Sequence, residues 1–91
     1  MSTKQFYIHI TGRVQDVGFR NFACQKASEL KINGWIKNLG NENIELEISG
    51  QSPNIETFID WIKIGPTRAV IRNFSITALT PQRDFVKFDI R

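Results

Sequence analysis

The residues best suited to bind an anion lie in one run, from Gly12 to Arg20, with the sequence GRVQDVGFR. The run lies where an alternating strand pattern gives way to a helical one. Main-chain N–H groups in such a turn point outward together, and the following helix adds its positive end. Arg20 adds a planar, permanently charged guanidinium that matches phosphate oxygens. The run therefore indicates an anion site.

The elements on either side of this run can be predicted from the spacing of apolar residues. Apolar side chains alternate from Phe6 to Ile10, which predicts a strand with one buried face. Helical spacing follows, at Phe19, Ala23, Ala27 and Leu30. We expect a helix from about Asn21 to Ile32, ended by Asn33-Gly34, whose residue types tolerate the left-handed conformation of a helix stop.

The second half of the chain predicts a hairpin and a second helix. Two strands, Gly34 to Leu39 and Ile44 to Ser49, are joined by a turn from Gly40 to Asn43. Ser52 is placed to cap the second helix, with Pro53 at its first position and Gly65-Pro66 at its end. The helix has a buried stripe formed by Ile55, Phe58, Ile59 and Ile62.

Two further strands, Val70 to Leu79 and Phe85 to Ile90, complete the order β-α-β-β-α-β with a short terminal strand. In that last strand we expect Val86, Phe88 and Ile90 to share a face. The order is typical of an α+β, ferredoxin-like split βαβ fold, with an antiparallel sheet and two helices on one face. Residues 1–91 are predicted to form a single domain.

This topology brings Asn38 toward the anion site. The first two strands run in the same direction with the third between them, so their C-terminal ends share one edge of the sheet. Because side chains alternate along a strand, Asn38 faces the helices if Ile36 does, whereas Trp35, Lys37 and Leu39 face away. Asn38 is therefore expected beside the N-terminus of the first helix.

The run from Gly12 to Arg20 closely resembles the signature of the acylphosphatase family, and the stretch from Gly34 to Asn38 resembles a second motif of that family. The resemblance continues at Gly50, Phe58, Trp61, Gly65-Pro66 and Ala69. It implies hydrolysis of acyl phosphates, which are carboxyl–phosphate mixed anhydrides, to a carboxylate and inorganic phosphate.

The resemblance also implies roles for particular residues. Arg20 is expected to bind the substrate phosphate, and Asn38 is expected to orient the attacking water. The main-chain amides expected to bind the phosphate with Arg20 belong to Gln15, Asp16, Val17, Gly18, Phe19 and Arg20 itself.

This small set of groups suits the expected chemistry. Phosphoryl transfer depends mainly on positioning and charge stabilisation. The leaving carboxylate comes from an acid with a pKa of about 4 to 5, so it departs as an anion without a protein acid. Neither a metal nor a cofactor is expected. Cys24, the only cysteine, follows the arginine instead of opening the phosphate loop, so we interpret it as a packing residue.

Two residues depart from the family pattern. Asp16 stands where the family usually has glycine and places a carboxylate in the phosphate loop. Aspartate tolerates positive φ better than most residues, so we expect the loop to keep its shape, the carboxylate to point outward and activity to be reduced. Glu42 replaces the glycine usual in the hairpin turn and leaves that turn's conformation open.

Two alternative functions remain at this point. One is a phosphate-binding domain whose catalysis is weak or lost because of Asp16. The other is an RNA-binding module of the same strand order, although Glu45, Glu47 and Ser49 would line its open sheet face, where basic or aromatic residues are needed.

The expected partners are small. The net charge of +3 comes without a Lys/Arg block and fits a small anion. We expect an acyl phosphate as substrate and inorganic phosphate as product and competing ligand, without nucleic acid or membrane binding. A cytoplasmic monomer is the default expectation, since the chain shows no apolar stretch near 18 residues and begins without a signal-peptide pattern.

Overall fold

The structure is a computed structural model that describes residues 3–80 and 85–91. Its elements follow in the order β1 Thr3–Arg13, α1 Phe19–Leu30, β2 Asn33–Gly40, β3 Asn43–Gln51, α2 Asn54–Ile64, β4 Val70–Leu79 and β5 Phe88–Ile90. The strands form one five-stranded sheet in the order β4-β1-β3-β2-β5. The predicted ferredoxin-like α+β fold is confirmed, with β3 between β1 and β2.

The core lies between the sheet and the two helices. In β1 and β3 the even-numbered residues point toward the helices. Four buried residues of α2 pack against these side chains. The buried side chains include Ile8, Ile10, Ile44, Leu46, Ile48, Ile55, Phe58, Ile59 and Ile62. Phe19, Ala23 and Ala27 of α1 complete this layer. The strand alternation and the apolar helix faces predicted from the sequence are therefore confirmed.

The terminal strand differs from its prediction. β5 begins at Phe88 instead of Phe85, and Val86 is 88% exposed, so Val86 does not share the buried face. The residues before β5 approach β2 through isolated bonds: Asn33 Nδ2 donates to Phe85 O, and Gly34 N–H donates to Lys87 O. Regular pairing starts only after these contacts.

The sheet is mixed, not wholly antiparallel as predicted. β1 pairs antiparallel with β3 and β4, and β2 pairs antiparallel with β3. β5 pairs parallel with β2. β4 and β5 lie at opposite edges of the sheet, and β5 runs in the same direction as its neighbour β2.

The first helix begins and ends two residues earlier than predicted. Gly18 has φ 78°, and this left-handed turn starts α1 at Phe19, so Arg20 lies in the first helical turn. At the other end Lys31, with φ 58°, supplies the left-handed residue that Asn33-Gly34 was expected to provide. Gly34 is instead needed within β2, because a Cβ there would lie 1.9 Å from Glu47 O.

The predicted cap of the second helix is wrong. Pro53 occupies the N-cap position of α2, and no side chain caps the helix. Ser52 lies one residue too early to reach the first backbone N–H groups, and its hydroxyl hydrogen-bonds to the Glu56 carboxylate. Gly65 ends the helix as expected, with φ 72°.

Candidate active site

The first feature of the site is the close contact that ends β1. Gly12 lies at an irregularity between β1 and β4, where its N–H donates to Glu42 O over 3.0 Å. A Cβ on Gly12 would lie 2.0 Å from Val70 O, so only glycine fits there. This contact brings the β2–β3 turn against the start of the phosphate loop.

The loop between β1 and α1 turns through two left-handed residues. Asp16 has φ 59° and Gly18 has φ 78°. Aspartate is among the residues that tolerate this conformation, as expected from the sequence. Asp16 is exposed, and the loop reaches α1 without a glycine at that position.

The N-terminus of α1 presents unpaired main-chain donors. The first bond inside the helix runs from Phe22 N–H to Gly18 O, at 2.9 Å. The N–H groups of Phe19, Arg20 and Asn21 therefore have no carbonyl partner within the helix, and no side chain caps them. Together with the helix dipole and the exposed Arg20 side chain, these groups form a positive pole.

These donors line a cleft of about 360 Å³. Its walls consist of Val14, Gln15, Asp16, Gly18, Phe19, Arg20, Asn21 and Ile90. The structure thus brings together five of the six predicted phosphate-loop residues. Val17 is the exception, since it packs against the hydrophobic core.

Asn38 is joined to this loop by a short side-chain hydrogen bond. Gln15 Nε2 donates to Asn38 Oδ1 over 2.6 Å. The same oxygen accepts the N–H of Gly40 over 2.8 Å. Asn38 itself does not line the cleft, but it lies next to it. It pairs with Ile44, as Ile36 pairs with Leu46, so Asn38 lies on the helix face of β2 as predicted.

Three contributors to the site could not be recognised from the loop motif. Asn21 follows Arg20 directly and reaches the cleft because α1 starts earlier than predicted. The Gln15 side chain is a second, since only its main-chain amide was expected to contribute. Ile90 comes from β5 at the far end of the chain, where nothing in the local sequence indicates the cleft.

A second cavity of similar size, about 350 Å³, lies at the opposite end of β1. Its lining includes Thr3, Asn33 and Gln51, and within the part of the chain that the structure describes Lys31 is its only charged residue. It reaches Asn54 at the uncapped start of α2, but no arginine lines it among residues 3–80 and 85–91. The cleft at the start of α1 adds a guanidinium, which matches phosphate oxygens, and is therefore the stronger candidate for a phosphate site.

Cys24 does not have the character of a nucleophile. Burial raises the pKa of its thiol, and the nearby Asp89 carboxylate adds to this effect. A raised pKa keeps the thiol protonated at neutral pH. The half-buried position of Cys24 agrees with a packing role.

The open face of the sheet carries charges of both signs: Lys37 lies opposite Glu45 in the neighbouring strand, and the Arg91 guanidinium lies 5.1 Å from the centre of the Trp35 ring. Tyr7 Oη donates to Glu45 Oε2 over 2.7 Å, and this bond is the main cause that raises the pKa of Tyr7 to about 12. Glu47 lies on the same face, opposite Tyr7 and Trp35 in neighbouring strands. Glu45 and Glu47 thus occupy the centre of this face, as expected from the sequence.

Two other features are absent from the part of the chain that the structure describes. Among residues 3–80 and 85–91, no three His, Cys, Asp or Glu side chains group closely enough to hold a metal ion. No helix within these ranges is long and apolar enough to cross a membrane.

Fold and cleft together define a small split-βαβ protein with a cleft that contains Arg20 at the uncapped start of its first helix. The family model for acylphosphatase matches residues 6–90. An acylphosphatase of Syntrophus aciditrophicus is 32% identical over 87 residues, which cover 96% of this chain and 91% of that protein. An acylphosphatase of Chlorobaculum tepidum is 36% identical over 76 residues, which cover 84% of this chain and 83% of that protein.

A solved structure agrees with these sequence relatives. The acylphosphatase from Bacillus subtilis superposes with a TM-score of 0.91 at 30% identity, covering 97% of this chain and 98% of that one. The chain belongs to the acylphosphatase family, and its activity is the hydrolysis of acyl phosphates. The comparisons give no support to the phosphate-binding or RNA-binding alternatives.

Proposed function

We propose that the cleft at the start of α1 is the active site of this acylphosphatase. In it, Arg20 and the main-chain N–H groups of the loop and first helical turn bind the phosphoryl group. The observation that carries the proposal is the uncapped N-terminus of α1, which opens into the same cleft as Arg20. Both supply positive charge where the negative charge of the transferring phosphoryl group is concentrated.

Asn38 is proposed to orient the water nucleophile. Its Oδ1 is occupied by Gln15 and Gly40, so its Nδ2 amino group is the end available to donate to a water oxygen. A hydrogen bond donated by Nδ2 engages one lone pair of the water, holds its oxygen in place and limits the directions in which the second lone pair can point. The contribution of Asn38 is therefore positional, as the substrate phosphate itself can accept the proton.

The proposed reaction is a direct displacement at phosphorus. The water oxygen forms a new P–O bond while the bond between phosphorus and the acyl oxygen breaks. The water proton moves to a phosphate oxygen, and the acyl group leaves as a carboxylate. The conjugate acid of this leaving group has a pKa of about 4 to 5, so no protein acid has to protonate it at neutral pH.

Three further properties belong to this proposal. The substrate is a small-molecule acyl phosphate, which suits a cleft of about 360 Å³. The protein is proposed to work as a monomer. It works in the cytoplasm, which agrees with a free cysteine thiol.

The Arg20→Ala variant tests the site assignment. Loss of this charge should lower kcat/KM for benzoyl phosphate at least about 100-fold, the scale of losing one group that stabilises transition-state charge. The assay contains a chelator, because neither metal nor cofactor is expected to contribute. Arg68→Ala, at an exposed position outside the cleft, is the matched control and should retain the wild-type rate. An Arg20→Ala enzyme with near-normal turnover would refute the assignment.

A further inference from the structure

The side chain of Gln15 bridges the phosphate loop and β2. Its Nε2 lies 2.6 Å from Asn38 Oδ1 and 3.4 Å from Asn43 O. Gln15 is half-buried and also lines the cleft. One residue therefore combines a main-chain amide in the loop with a side chain that holds the neighbouring asparagine.

Two backbone groups of fixed polarity determine the orientation of both side-chain amides. The Gly40 N–H can only donate, so the Asn38 atom that it meets at 2.8 Å is the oxygen. The Asn43 carbonyl can only accept, so the Gln15 atom facing it is the amino nitrogen. The bond between the two side chains consequently runs from Gln15 to Asn38.

This direction decides which end of Asn38 is free. Two donors, Gly40 N–H and Gln15 Nε2, converge on Oδ1, and reversal of the Asn38 amide would place its amino group against both. Gly40 lies two residues from Asn38 in the same strand end, whereas Gln15 comes from the loop that surrounds the phosphate. Gln15 is thus the contact that ties the Asn38 amide to the position of the phosphate.

We propose that Gln15 is a positioning residue for the hydrolytic water. Its side chain holds Asn38 with Nδ2 toward the nucleophile and in register with the phosphate loop. This inference rests on the proposed function, and it adds a side-chain role to a residue whose main-chain amide alone was expected to contribute. Loss of the Gln15 side chain should therefore lower kcat and leave phosphate binding unchanged, since the phosphate is bound by main-chain amides and Arg20.

Gln15→Met keeps the length of the side chain and removes its donor. We expect kcat for benzoyl phosphate to fall about 10-fold, the scale of one lost hydrogen bond in the transition state. KM and the inhibition constant of inorganic phosphate should stay within about 2-fold, because the main-chain amides and Arg20 remain. Gln25→Met, an exposed change on α1 outside the cleft, is the matched control.

Gln15→Glu reverses the polarity of the contact. An ionised carboxylate cannot donate to Asn38 Oδ1, so kcat at pH 7 should fall further than in Gln15→Met. A protonated carboxyl can donate, so the kcat of Gln15→Glu relative to wild type should recover as the pH falls through the ordinary glutamate pKa of about 4.3. Repulsion of phosphate by the new charge would instead appear in KM and in phosphate inhibition.

A double-mutant cycle separates this role from a structural one. In an Asn38→Ala background, Gln15→Met should change kcat by less than about 2-fold, because its target is already gone. Equal losses in both backgrounds, a wild-type kcat in Gln15→Met, or a Gln15→Glu enzyme without acid recovery would each overturn the inference. If Arg20→Ala also keeps full activity, the proposed active site itself fails.

Discussion

Asp16 is an acidic residue in the lining of the cleft that contains Arg20. The residue adopts φ 59° and is exposed, so the loop keeps its path despite the missing glycine. The residue nevertheless lines the same cleft. Since Arg20 and the amides at the start of α1 attract an anion, Asp16 weakens the local potential without removing a donor.

Replacement of Asp16 by asparagine tests this effect with little change to the backbone, because asparagine also tolerates positive φ. We expect kcat/KM for benzoyl phosphate to rise about 2- to 5-fold at low salt, mainly through KM, as the screened repulsion between exposed charges is modest. Kinetics at low and high ionic strength provide the measurement.

The gain from Asp16→Asn should shrink as salt is added. Asp60→Asn removes a carboxylate from an exposed position of α2 outside the cleft, and it should leave KM unchanged at every salt concentration. An identical KM for wild type and Asp16→Asn at low salt would show that the carboxylate does not act on the bound anion.

Among the structural elements, the β2–β3 turn links the two halves of the site. Asn41 and Glu42 have φ 50° and 63°, the positive values that a two-residue type I′ hairpin turn requires. Glu42 O accepts the Gly12 N–H, and the Glu42 carboxylate pairs with Arg72 over 2.6 Å. Through the hydrogen bond to Gly12, the turn holds the end of β2, and with it Asn38, next to the end of β1.

Glu42→Gly should raise the stability of the protein slightly. A left-handed glutamate costs on the order of 1 kcal/mol, whereas an exposed ion pair such as Glu42–Arg72 contributes about 0 to 1 kcal/mol. We expect the free energy of unfolding to increase by up to about 1 kcal/mol, which corresponds to a rise in Tm of up to about 8 °C.

Arg72→Ala provides the control for Glu42→Gly, since it removes only the ion pair and should lower Tm slightly or leave it unchanged. Both variants should keep the contact between Gly12 N–H and the main-chain oxygen of residue 42, and hence kcat. A clear loss of stability in Glu42→Gly would show that the side chain contributes more than the strained backbone costs.

At the scale of the whole molecule, the site depends on the folded chain as a unit. Its groups come from the loop after β1, the first turn of α1, the end of β2 and the last residues of β5. A ligand that binds only this arrangement must stabilise the native state.

Inorganic phosphate should therefore raise the thermal stability of the protein. At a free phosphate concentration of about 100 times its Kd, the expected gain is about 2.7 kcal/mol, which calorimetry or a fluorescence melt can measure. Arg20→Ala should lose most of this gain, whereas Arg68→Ala should retain it. Equal stabilisation of Arg20→Ala and wild type would place the phosphate elsewhere on the molecule.

Much of the fold and part of the site could be predicted because their causes are local. The alternation of Phe6, Ile8 and Ile10 and the apolar stripe of α2 reflect burial of one face, which the sequence alone shows. The loop ending in Arg20 was recognisable for a similar reason, because its main-chain donors and its guanidinium belong to residues that are adjacent in the sequence. The bounds of α1 were less predictable, since Gly18 and Lys31 turn the chain.

The contacts that complete the site were decided by tertiary structure alone. The bond from Gln15 to Asn38 joins residues 23 positions apart, and its direction depends on the backbone polarity of Gly40 and Asn43. Ile90 reaches the cleft because β5 crosses to the far edge of the sheet and pairs parallel with β2. The sequence pattern indicates which face of a helix or strand is buried. Residues far apart in the chain come into contact only through the order in which the strands pair in the folded sheet.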